Sequence, residues 1–497
     1  MPGPKTLLLQ SPITLKESDV ASFGLFPPLG LAYLAAALLR EGFQVEICDL
    51  LAEGAERRER VGEGRVRLGL PDAEVEQLLR DKAPDIVGIA NCFSSFSDDA
   101  VRLARLVRGC LPDALVVMGG AHASVEFAPL LATGVVDAAV VGEGEETFAD
   151  VVRAIAGGRP EAARGVAGTV WRIGDEVREN AFRAPPADLD ALPFPAWPLL
   201  PMERYIWQRK ANFAAAMRWP IGHMITSRGC LYNCLFCSVR RRFRKFRVRS
   251  AANVLAEMEL LMRDYGIREF HFHDDCFLAR PERVRELCQA ILDRKLDIRW
   301  QVSQGINSDR LDDDLLELMA RSGMYRVGFP IESACRETLR FIRKPVKPER
   351  VRQLIEKCNR LGIYVFGCFM IGFPEETRDQ IEETLEFAVR SGLDYAKVSA
   401  VQPIPGSELF SVFERLGLLA GGLRQGSTYF HTEYDTVHLS AADLNALRAR
   451  AMRRFAVRRI TRMLSQGGLR RFLLPKLRSR EQVGYFLRMA WHALRGL

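Results

Sequence analysis

The sequence predicts an α/β protein with two parallel-sheet units followed by a helical C-terminal region. Three observations support this class. Apolar strands alternate with amphipathic helices over residues 5–158, the alternation resumes over residues 221–402, and the rest of the chain is mainly helical and basic. Strands that alternate with helices form parallel sheets, because each helix carries the chain back across the sheet.

The length and composition of the chain indicate what kind of protein it is. A chain of 497 residues exceeds one ordinary domain, and 48% hydrophobic with 27% charged residues is typical of a globular protein. The 11 Cys residues are not spaced like a disulfide framework. We find neither a signal peptide nor an apolar run long enough to span a membrane. We therefore expect a cytoplasmic protein.

The first unit is predicted over residues 1–160 as a doubly wound, Rossmann-like sheet of the flavodoxin type. Its predicted strands cover residues 6–10, 45–50, 85–90, 115–118 and 138–141. Its predicted helices cover residues 29–41, 72–82, 98–111, 126–132 and 146–156. Sheets of this kind bind ligands in the crevice at the carboxyl ends of their strands.

Glycines follow two of these strands. Gly119 and Gly120 come after the fourth strand, and Gly142 and Glu143 come before the fifth helix. Glycine lets a bulky ligand approach the backbone closely, so these four residues are candidate ligand contacts. Taken alone, Gly119 and Gly120 are by default a plain turn. A dinucleotide site is disfavoured, because no G-x-G-x-x-G follows the first strand.

A connector is predicted over residues 161–219, with a small hairpin over 168–180 and a proline-rich stretch over 184–198. The second unit, over residues 220–405, is predicted as a partial (βα)₆ barrel of the TIM type. Its predicted strands cover residues 224–227, 269–273, 299–303, 326–331, 364–370 and 395–401. A basic helical region, over residues 406–497, ends the chain.

The strongest candidates for metal-binding cysteines are Cys230, Cys234 and Cys237. They follow the first predicted barrel strand at C-x₃-C-x₂-C spacing. A structural zinc site normally draws four ligands from two knuckles, and the next cysteine, Cys276, has no companion knuckle. Three thiolates suit three irons of a [4Fe–4S] cube and leave the fourth iron open. The alternative is three buried thiols that happen to lie close together.

This loop resembles that of the radical SAM superfamily, which carries CxxxCxxC with an aromatic residue before the last Cys, here Phe236. The resemblance implies a [4Fe–4S] cluster on Cys230, Cys234 and Cys237. It also implies that the open iron chelates S-adenosylmethionine. The family further implies an electron donor such as flavodoxin or ferredoxin.

Three later segments extend the resemblance. Asp274 and Asp275 follow the second predicted barrel strand, where relatives hold the methionyl ammonium. Glu332 and Ser333 lie where relatives read G-I-E-S-G-S, which implies contacts to the methionine or ribose. Gly372 follows the fifth strand, in a segment that relatives pack near the adenine.

The first unit resembles the cobalamin-binding domain that precedes many radical SAM cores. The matching segments are PPLGLAYLA at 27–35, PDIVG at 84–88, GGAH at 119–122 and VGEGE at 141–145. The resemblance implies cobalamin beside Gly119, Gly120, Gly142 and Glu143. The D-x-H-x-x-G signature of cobalamin mutases is absent, so we interpret His122 as a loop residue. The radical SAM relatives commonly lack this signature as well and hold cobalamin without a protein imidazole.

The combined resemblance implies a cobalamin-dependent radical SAM enzyme that generates a 5′-deoxyadenosyl radical. C-methylation of an unactivated carbon in a natural product, lipid or tetrapyrrole is the leading hypothesis. Relatives with this architecture also cyclise or rearrange substrates without methylation, which stays open as an alternative. An RNA-modifying enzyme is the less favoured alternative.

Two basic segments are candidate binding sites for partners or substrates. The basic run over residues 240–249 could bind nucleic acid phosphates, bind a small acidic substrate, or be a solvated loop. It ends in R-x-R-S, as relatives often do, which favours a role within the protein itself. Residues 441–497 hold 14 Lys and Arg against two acidic residues. The predicted helix over 441–464, capped by Ser440, either contacts an anionic membrane or partner, or packs on the barrel.

Overall fold

The structure is a computed structural model that describes residues 3–62, 64–206, 216–239, 243, 245–303, 305–419 and 431–495. The chain separates into two compact units that divide at about residue 212. Residues 240–242 and 244 of the basic run lie outside the described residues.

The first unit contains two sheets. Its strands are β1 Thr6–Gln10, β2 Ile13–Lys16, β3 Val45–Asp49, β4 Arg58–Arg60, β5 Arg65–Leu68, β6 Ile86–Ala90, β7 Leu115–Gly119, β8 Ala138–Val140, β9 Thr169–Ile173 and β10 Glu176–Glu179. The main sheet has the order β10-β9-β8-β7-β6-β1-β3, and β2, β5 and β4 form a small antiparallel sheet. In sequence order its parallel part reads 2-1-3-4-5, which is the flavodoxin order.

Helices cover both faces of the main sheet. They are Leu29–Arg40, Leu50–Glu53, Asp72–Lys82, Ser97–Cys110, Phe127–Ala132, Glu145–Ala156, Pro160–Ala163 and Met202–Ile206, with 3₁₀ turns at Glu17–Ser22, Ser94–Phe96 and Trp197–Leu199. Successive residues of β1 and β6 are buried on both faces, which explains their unbroken apolar sequence. The hairpin β9–β10, which the sequence analysis assigned to the connector, instead pairs antiparallel with β8 and extends the sheet.

The second unit is built on a six-stranded parallel sheet. Its strands are β11 Ile221–Met224, β12 Ser227–Arg228, β13 Arg247–Val248, β14 Glu269–Phe272, β15 Arg299–Val302, β16 Met324–Glu332, β17 Tyr364–Ile371 and β18 Tyr395–Ala400. The sheet order is β11-β14-β15-β16-β17-β18, so within the described residues β11 and β18 are open edges. This is the predicted partial (βα)₆ barrel.

The barrel helices are Ala251–Tyr265, Pro281–Asp293, Asp313–Arg321, Arg336–Phe341, Pro348–Leu361, Arg378–Arg390 and Glu408–Arg415, with a 3₁₀ turn at Phe277–Ala279. The C-terminal region contains Ala441–Leu464, Gln466–Gly468, a π-helical turn Leu469–Leu473, a 3₁₀ turn Leu474–Lys476 and Arg480–Arg495. Ser440 caps the long helix in a capping box with Asp443, as the sequence predicts.

One predicted strand is shifted. The sequence predicts the first barrel strand over residues 224–227, whereas it is Ile221–Met224. The reason is local, because the Thr226 and Ser227 amides donate to the Asp274 carboxylate and not to a neighbouring strand. Ser227 then begins β12, which pairs with β13 and closes the base of the cysteine loop.

The C-terminal region is docked on the barrel. Tyr485 is fully buried, and its ring lies 5.4 Å from Tyr325 and 4.7 Å from Tyr364. Lys476 is also buried and donates to Asn359 Oδ1 at 2.7 Å and to the Asp394 carboxylate. Among the described residues no helix is long and apolar enough to cross a membrane.

Candidate active site

The cysteine loop is held by apolar packing and backbone hydrogen bonds at its middle. Leu235 N–H donates to the Ile342 carbonyl at 3.0 Å, and the Leu235 carbonyl accepts from Leu409 N–H at 2.9 Å. The Leu235 side chain is buried in a small core with Phe373 and Phe413, and the pairing of β12, before the loop, with β13, after it, closes the base of the loop. The three cysteines are therefore carried on a segment whose path is set before any cofactor binds.

The three thiols influence one another. A hydrogen bond with the Cys276 thiol lowers the pKa of Cys230 to about 7. Burial raises the pKa of Cys234 to about 11, and burial also raises the pKa of Cys237. The Lys344 ammonium lowers the pKa of all three thiols. Since the thiolate is the metal-binding form, this buried cation favours ligation.

The donor set fits an iron–sulfur cube. In the part of the chain that the structure describes, no three His, Cys, Asp or Glu side chains are grouped to hold a single metal ion. A cube places its ligands differently, because each Cys binds a separate iron. Three interacting sulfur donors on one loop, beside a cation that offsets their negative charge, match that requirement.

Lys344 and Glu332 form a buried ion pair beside this loop. Lys344 Nζ lies 3.1 Å from Glu332 Oε1, and the two side chains are 11% and 10% exposed. Burial favours the neutral amine, but Glu332 and Cys234 outweigh it and raise the pKa of Lys344. Lys344 Nζ also lies 6.0 Å from the ring centre of Phe236. No periodicity in the sequence marks Lys344, and sequence reasoning missed it.

Glu332 lies at a strained point of the backbone. It ends β16 with a φ of +64°, in the left-handed region that non-glycine residues rarely adopt. A register shift between Pro330 and Glu332 accompanies this geometry. Strain of this kind is concentrated at binding and catalytic sites, where the surrounding fold maintains it.

The two predicted aspartates have different surroundings. Asp274 is buried, and its Oδ1 accepts from the Thr226 and Ser227 amides at 2.6 and 2.7 Å. Its Oδ2 accepts from the Thr226 hydroxyl at 2.6 Å. Asp275 is half-buried and interacts electrostatically with the Cys230 and Cys237 thiols. The structure therefore brings Asp275 to the cysteines and uses Asp274 to hold the start of their loop.

Ser333 is placed as internal support. It is fully buried, with its hydroxyl 2.8 Å from Thr384 Oγ1, and it accepts from Cys335 N–H at 3.1 Å. These contacts fix the turn after β16, next to the strained Glu332.

Gly372 is held by an acidic residue that the sequence analysis did not select. Gly372 has a φ of +87°, and its N–H donates to Glu376 Oε2 at 2.8 Å. Phe373 N–H donates to the same oxygen at 3.2 Å. Glu376 is 3% exposed, and burial raises its pKa to about 7. The sequence shows that Glu376 lies two residues after Pro374, but it does not predict that this carboxyl group is buried.

The predicted cobalamin contacts lie at one edge of the first sheet. Gly119 ends β7, Gly142 follows β8, and the Asn91 loop follows β6, so all lie at carboxyl ends of adjacent parallel strands. Gly120 has a φ of +118°, and a Cβ there would come within 2.7 Å of the Asn91 carbonyl oxygen. Gly142 N–H donates to Ser124 Oγ at 3.0 Å.

This edge exposes an aromatic ring. Phe93, in the loop after β6, is 64% exposed. His122 Nδ1 lies 2.9 Å from Ser94 Oγ within the same loops, and burial lowers the pKa of His122 to about 4. Glu143 is half-buried beside Gly142. Glycine turns and an exposed aromatic ring in the loops of this edge fit cobalamin, whose corrin ring is broad.

Comparison with known proteins agrees with this arrangement. Residues 224–388 match the Radical SAM superfamily, and residues 20–152 match the B12 binding domain. The chain belongs to the radical SAM superfamily, among members that carry an N-terminal B12-binding domain. The predicted family and fold class are confirmed.

Two relatives align over most of their length. An uncharacterized methyltransferase of Pyrococcus horikoshii is 34% identical over 388 residues, 77% of this chain and 78% of the relative. The cytidylyl-2-hydroxyethylphosphonate methyltransferase of Streptomyces wedmorensis is 33% identical over 446 residues, 84% of this chain and 82% of the relative. The radical S-adenosylmethionine methyltransferase TsrM of Kitasatospora setae, solved with cobalamin and a [4Fe–4S] cluster, has a TM-score of 0.69 at 17% identity and 99% coverage of both chains. This last likeness concerns the fold.

Proposed function

We propose that this chain is a cobalamin-dependent radical SAM methyltransferase that modifies an unactivated carbon of a small molecule. The observation that carries the proposal is the fixed loop of Cys230, Cys234 and Cys237 beside the buried Lys344–Glu332 pair. The methyltransferase names of the two relatives, which align over 78% and 82% of their own length, support the reaction class.

Each residue has a role in this proposal. Cys230, Cys234 and Cys237 bind a [4Fe–4S] cluster, and Asp275, Glu332, Gly372 and Phe236 line the S-adenosylmethionine site. Asp274 and Ser333 hold the backbone of that site in place. Gly119, Gly120, Gly142 and Glu143 contact cobalamin. When bound, the three cofactors supply a 5′-deoxyadenosyl radical and a transferable methyl group, and the barrel excludes water around the reacting carbon.

Anaerobic reconstitution with iron, sulfide and hydroxocobalamin tests this proposal. We expect cluster and cobalamin absorbance, and reductive cleavage of S-adenosylmethionine that a Cys234→Ala variant has lost. Candidate small molecules are then screened with S-adenosylmethionine labelled in its methyl group. Formation of 5′-deoxyadenosine without a methylated product would favour the alternative in which the enzyme cyclises or rearranges its substrate. Absent cofactor cleavage would refute the enzyme class.

The remaining expectations concern organisation and partners. We propose a first domain that begins with residues 1–160 and includes the hairpin β9–β10, a connector up to residue 219, and domains at 220–405 and 406–497. We also propose a cytoplasmic location and reduction by flavodoxin or ferredoxin. An RNA partner is less favoured, because Arg247 and Arg249 are buried in the barrel unit. Arg249 contacts the Ile225 carbonyl and the Glu257 carboxylate, which is a local structural role.

Peripheral membrane contact is a separate proposal. Arg450 and Arg454 of the long C-terminal helix pair with Glu382 and Glu386, so this part of the helix packs on the barrel. Further along the same helix an apolar stripe is more than half exposed, formed by Val457, Ile460 and Leu464. Cosedimentation with anionic but not zwitterionic vesicles, lost in Ile460→Asp, would support contact. Absence of binding at low salt would refute it.

A further inference from the structure

The ammonium group of Lys344 has more donors than partners. Its side chain is 11% exposed, and Nζ donates to Glu332 Oε1 at 3.1 Å. A lysine ammonium carries three N–H donors. In the part of the chain that the structure describes, Glu332 is the only hydrogen-bond partner of this group. Because an unused donor in a nearly buried position is costly, the two remaining N–H groups indicate an acceptor that binds beside Lys344.

Backbone hydrogen bonds fix the turn that carries Lys344. Arg343 has a φ of +57°, which reverses the chain at the end of its helix. Lys344 N–H then donates to the Leu339 carbonyl at 3.0 Å. The Ile342 carbonyl, two residues before Lys344, accepts from Leu235 N–H of the cysteine loop. The position of Lys344 is therefore set by the same turn that holds the cysteine loop.

Lys344 lies against an apolar part of the cysteine loop. Its Nζ is 6.0 Å from the ring centre of Phe236, the residue before Cys237. The ring centres of Phe236 and Phe373 are 6.3 Å apart, and those of Phe373 and Phe341 are 6.4 Å apart, so aromatic rings line this side of the loop. Charges in such surroundings interact strongly, because little water is present to screen them.

A [4Fe–4S] cluster on this loop supplies acceptors of the kind that Lys344 lacks. Its sulfur atoms accept N–H hydrogen bonds, and its reduction adds one negative charge to it. Hydrogen bonds to sulfur and nearby charge are main influences of a protein on the potential of such a cluster. A fixed cation beside the loop therefore stabilises the reduced cluster more than the oxidised one.

We propose that Lys344 donates its two remaining N–H groups to sulfur atoms of the cluster and raises its reduction potential. Glu332 moderates this effect, because it neutralises part of the charge. The inference rests on the proposed function, because it assumes a cluster on Cys230, Cys234 and Cys237. It adds a residue that tunes the electron-accepting step and that lies outside the cysteine motif.

Replacement of the two members of the ion pair should change the potential in opposite directions. Lys344→Met removes the cation and leaves the Glu332 carboxylate, so the cluster should be about tenfold harder to reduce, which is about 59 mV for a one-electron couple. Glu332→Gln leaves the cation without its counter-charge, so reduction should become severalfold easier. Lys344→Arg keeps the charge and should stay within about threefold of the parent. A pair that only supports the fold would not give shifts of opposite sign.

An anaerobic redox titration of the full-length protein, loaded with cluster and cobalamin, measures these shifts. Low-temperature EPR distinguishes the reduced cluster from cob(II)alamin, and S-adenosylmethionine is left out. Lys347→Met is the matched control, because this lysine is exposed and lies three residues further along the chain. Water and salt screen an exposed charge, so this variant should shift the equilibrium by less than about twofold.

A second comparison covers the case in which Lys344→Met fails to hold its cluster. The double variant Lys344→Met with Glu332→Gln has no buried charge without a partner, so it should fold. It should be about tenfold harder to reduce than Glu332→Gln alone, because the two proteins differ only in the cation. Equal potentials of these two proteins would overturn the proposal. So would shifts of the same sign in Lys344→Met and Glu332→Gln, or a shift in Lys347→Met as large as that in Lys344→Met.

The carboxylate of S-adenosylmethionine is the other anion that this ammonium could bind, and binding measurements distinguish it. Equilibrium binding of S-adenosylmethionine is measured on the protein with its cluster oxidised. The double variant is again compared with Glu332→Gln. A loss of more than tenfold in affinity with an unchanged potential would assign Lys344 to that carboxylate and overturn the proposal.

Failure of this inference is separable from failure of the proposed function. A parent protein that holds no cluster would refute the proposed function and this inference with it. A parent protein that holds a reducible cluster and cleaves S-adenosylmethionine, but whose potential is independent of the charge at residue 344, would count only against the inference.

Discussion

Replacement of Asp274 tests whether this residue supports the cysteine loop or binds S-adenosylmethionine. Its carboxylate accepts three hydrogen bonds at 2.6–2.7 Å from Thr226 and Ser227, directly before the cysteine loop. The buried Arg283 donates to the same Thr226 hydroxyl at 2.9 Å and offsets the negative charge of Asp274. Asp274→Ala would leave two buried amides and the Thr226 hydroxyl without this acceptor, and would remove the negative charge beside the Arg283 guanidinium.

The size of the effect follows from these contacts. A buried amide that loses its acceptor costs about 1–3 kcal/mol, and removal of one member of a buried charge pair costs about 3–5 kcal/mol. The contributions overlap, so we expect Asp274→Ala to lower the free energy of unfolding by about 4 kcal/mol. At about 2–4 °C per kcal/mol, the melting temperature should fall by roughly 10 °C. Asp274→Asn keeps one oxygen for both amides and should lose only about 1–2 kcal/mol.

The assay combines thermal unfolding, iron content and S-adenosylmethionine binding on anaerobically purified protein. A supporting role predicts that Asp274→Ala loses both stability and iron. It also predicts that Asp274→Asn retains iron and binds S-adenosylmethionine with an affinity within about threefold of the parent. If Asp274→Asn keeps its cluster but loses more than tenfold in affinity, Asp274 binds the cofactor and the reasoning is refuted.

Three further predictions concern the same unit. Lys344→Met should lower the free energy of unfolding by about 3–5 kcal/mol, because it leaves the buried Glu332 charge without its partner. The double variant with Glu332→Gln should recover most of that stability, measured by urea unfolding. The pKa of Glu376 is raised to about 7 from an unfolded value near 4.5, so stability should fall by about 3 kcal/mol as pH rises between these values. Glu376→Gln should remove that pH dependence; an unchanged slope in unfolding from pH 4.5 to 8 would contradict this. Gly372→Ala should lower the free energy of unfolding more than Gly174→Ala does. Both glycines have a positive φ, but only at Gly372 would a Cβ meet a leucine side chain, at 2.9 Å. Equal losses of stability would contradict this.

Much of the fold could be predicted because its signals are local. The helix Asp72–Lys82 and the helix Ala441–Leu464 have the predicted bounds, since each segment has its own apolar periodicity and Ser440 caps the second helix. The parallel strands were predicted within about three residues, because continuous burial on two faces requires continuous apolar sequence. The small sheet of β2, β4 and β5 was missed, because its short, arginine-rich strands have no apolar face of that length.

The site was predictable only in part, for the same physical reason. Cys230, Cys234 and Cys237 lie within one loop, so their spacing alone identifies them. Lys344 reaches Glu332 from a turn after a separate helix, and no sequence pattern specifies that approach.

Iron analysis of cysteine variants tests the account most directly. The protein is purified anaerobically, reconstituted with iron and sulfide, and assayed for iron, sulfide and the broad absorbance of a reducible [4Fe–4S] cluster. The account predicts about four irons per chain in the parent protein and in Cys276→Ser, and almost none when Cys230, Cys234 and Cys237 are replaced together. An iron content that is the same with and without those three cysteines would contradict it.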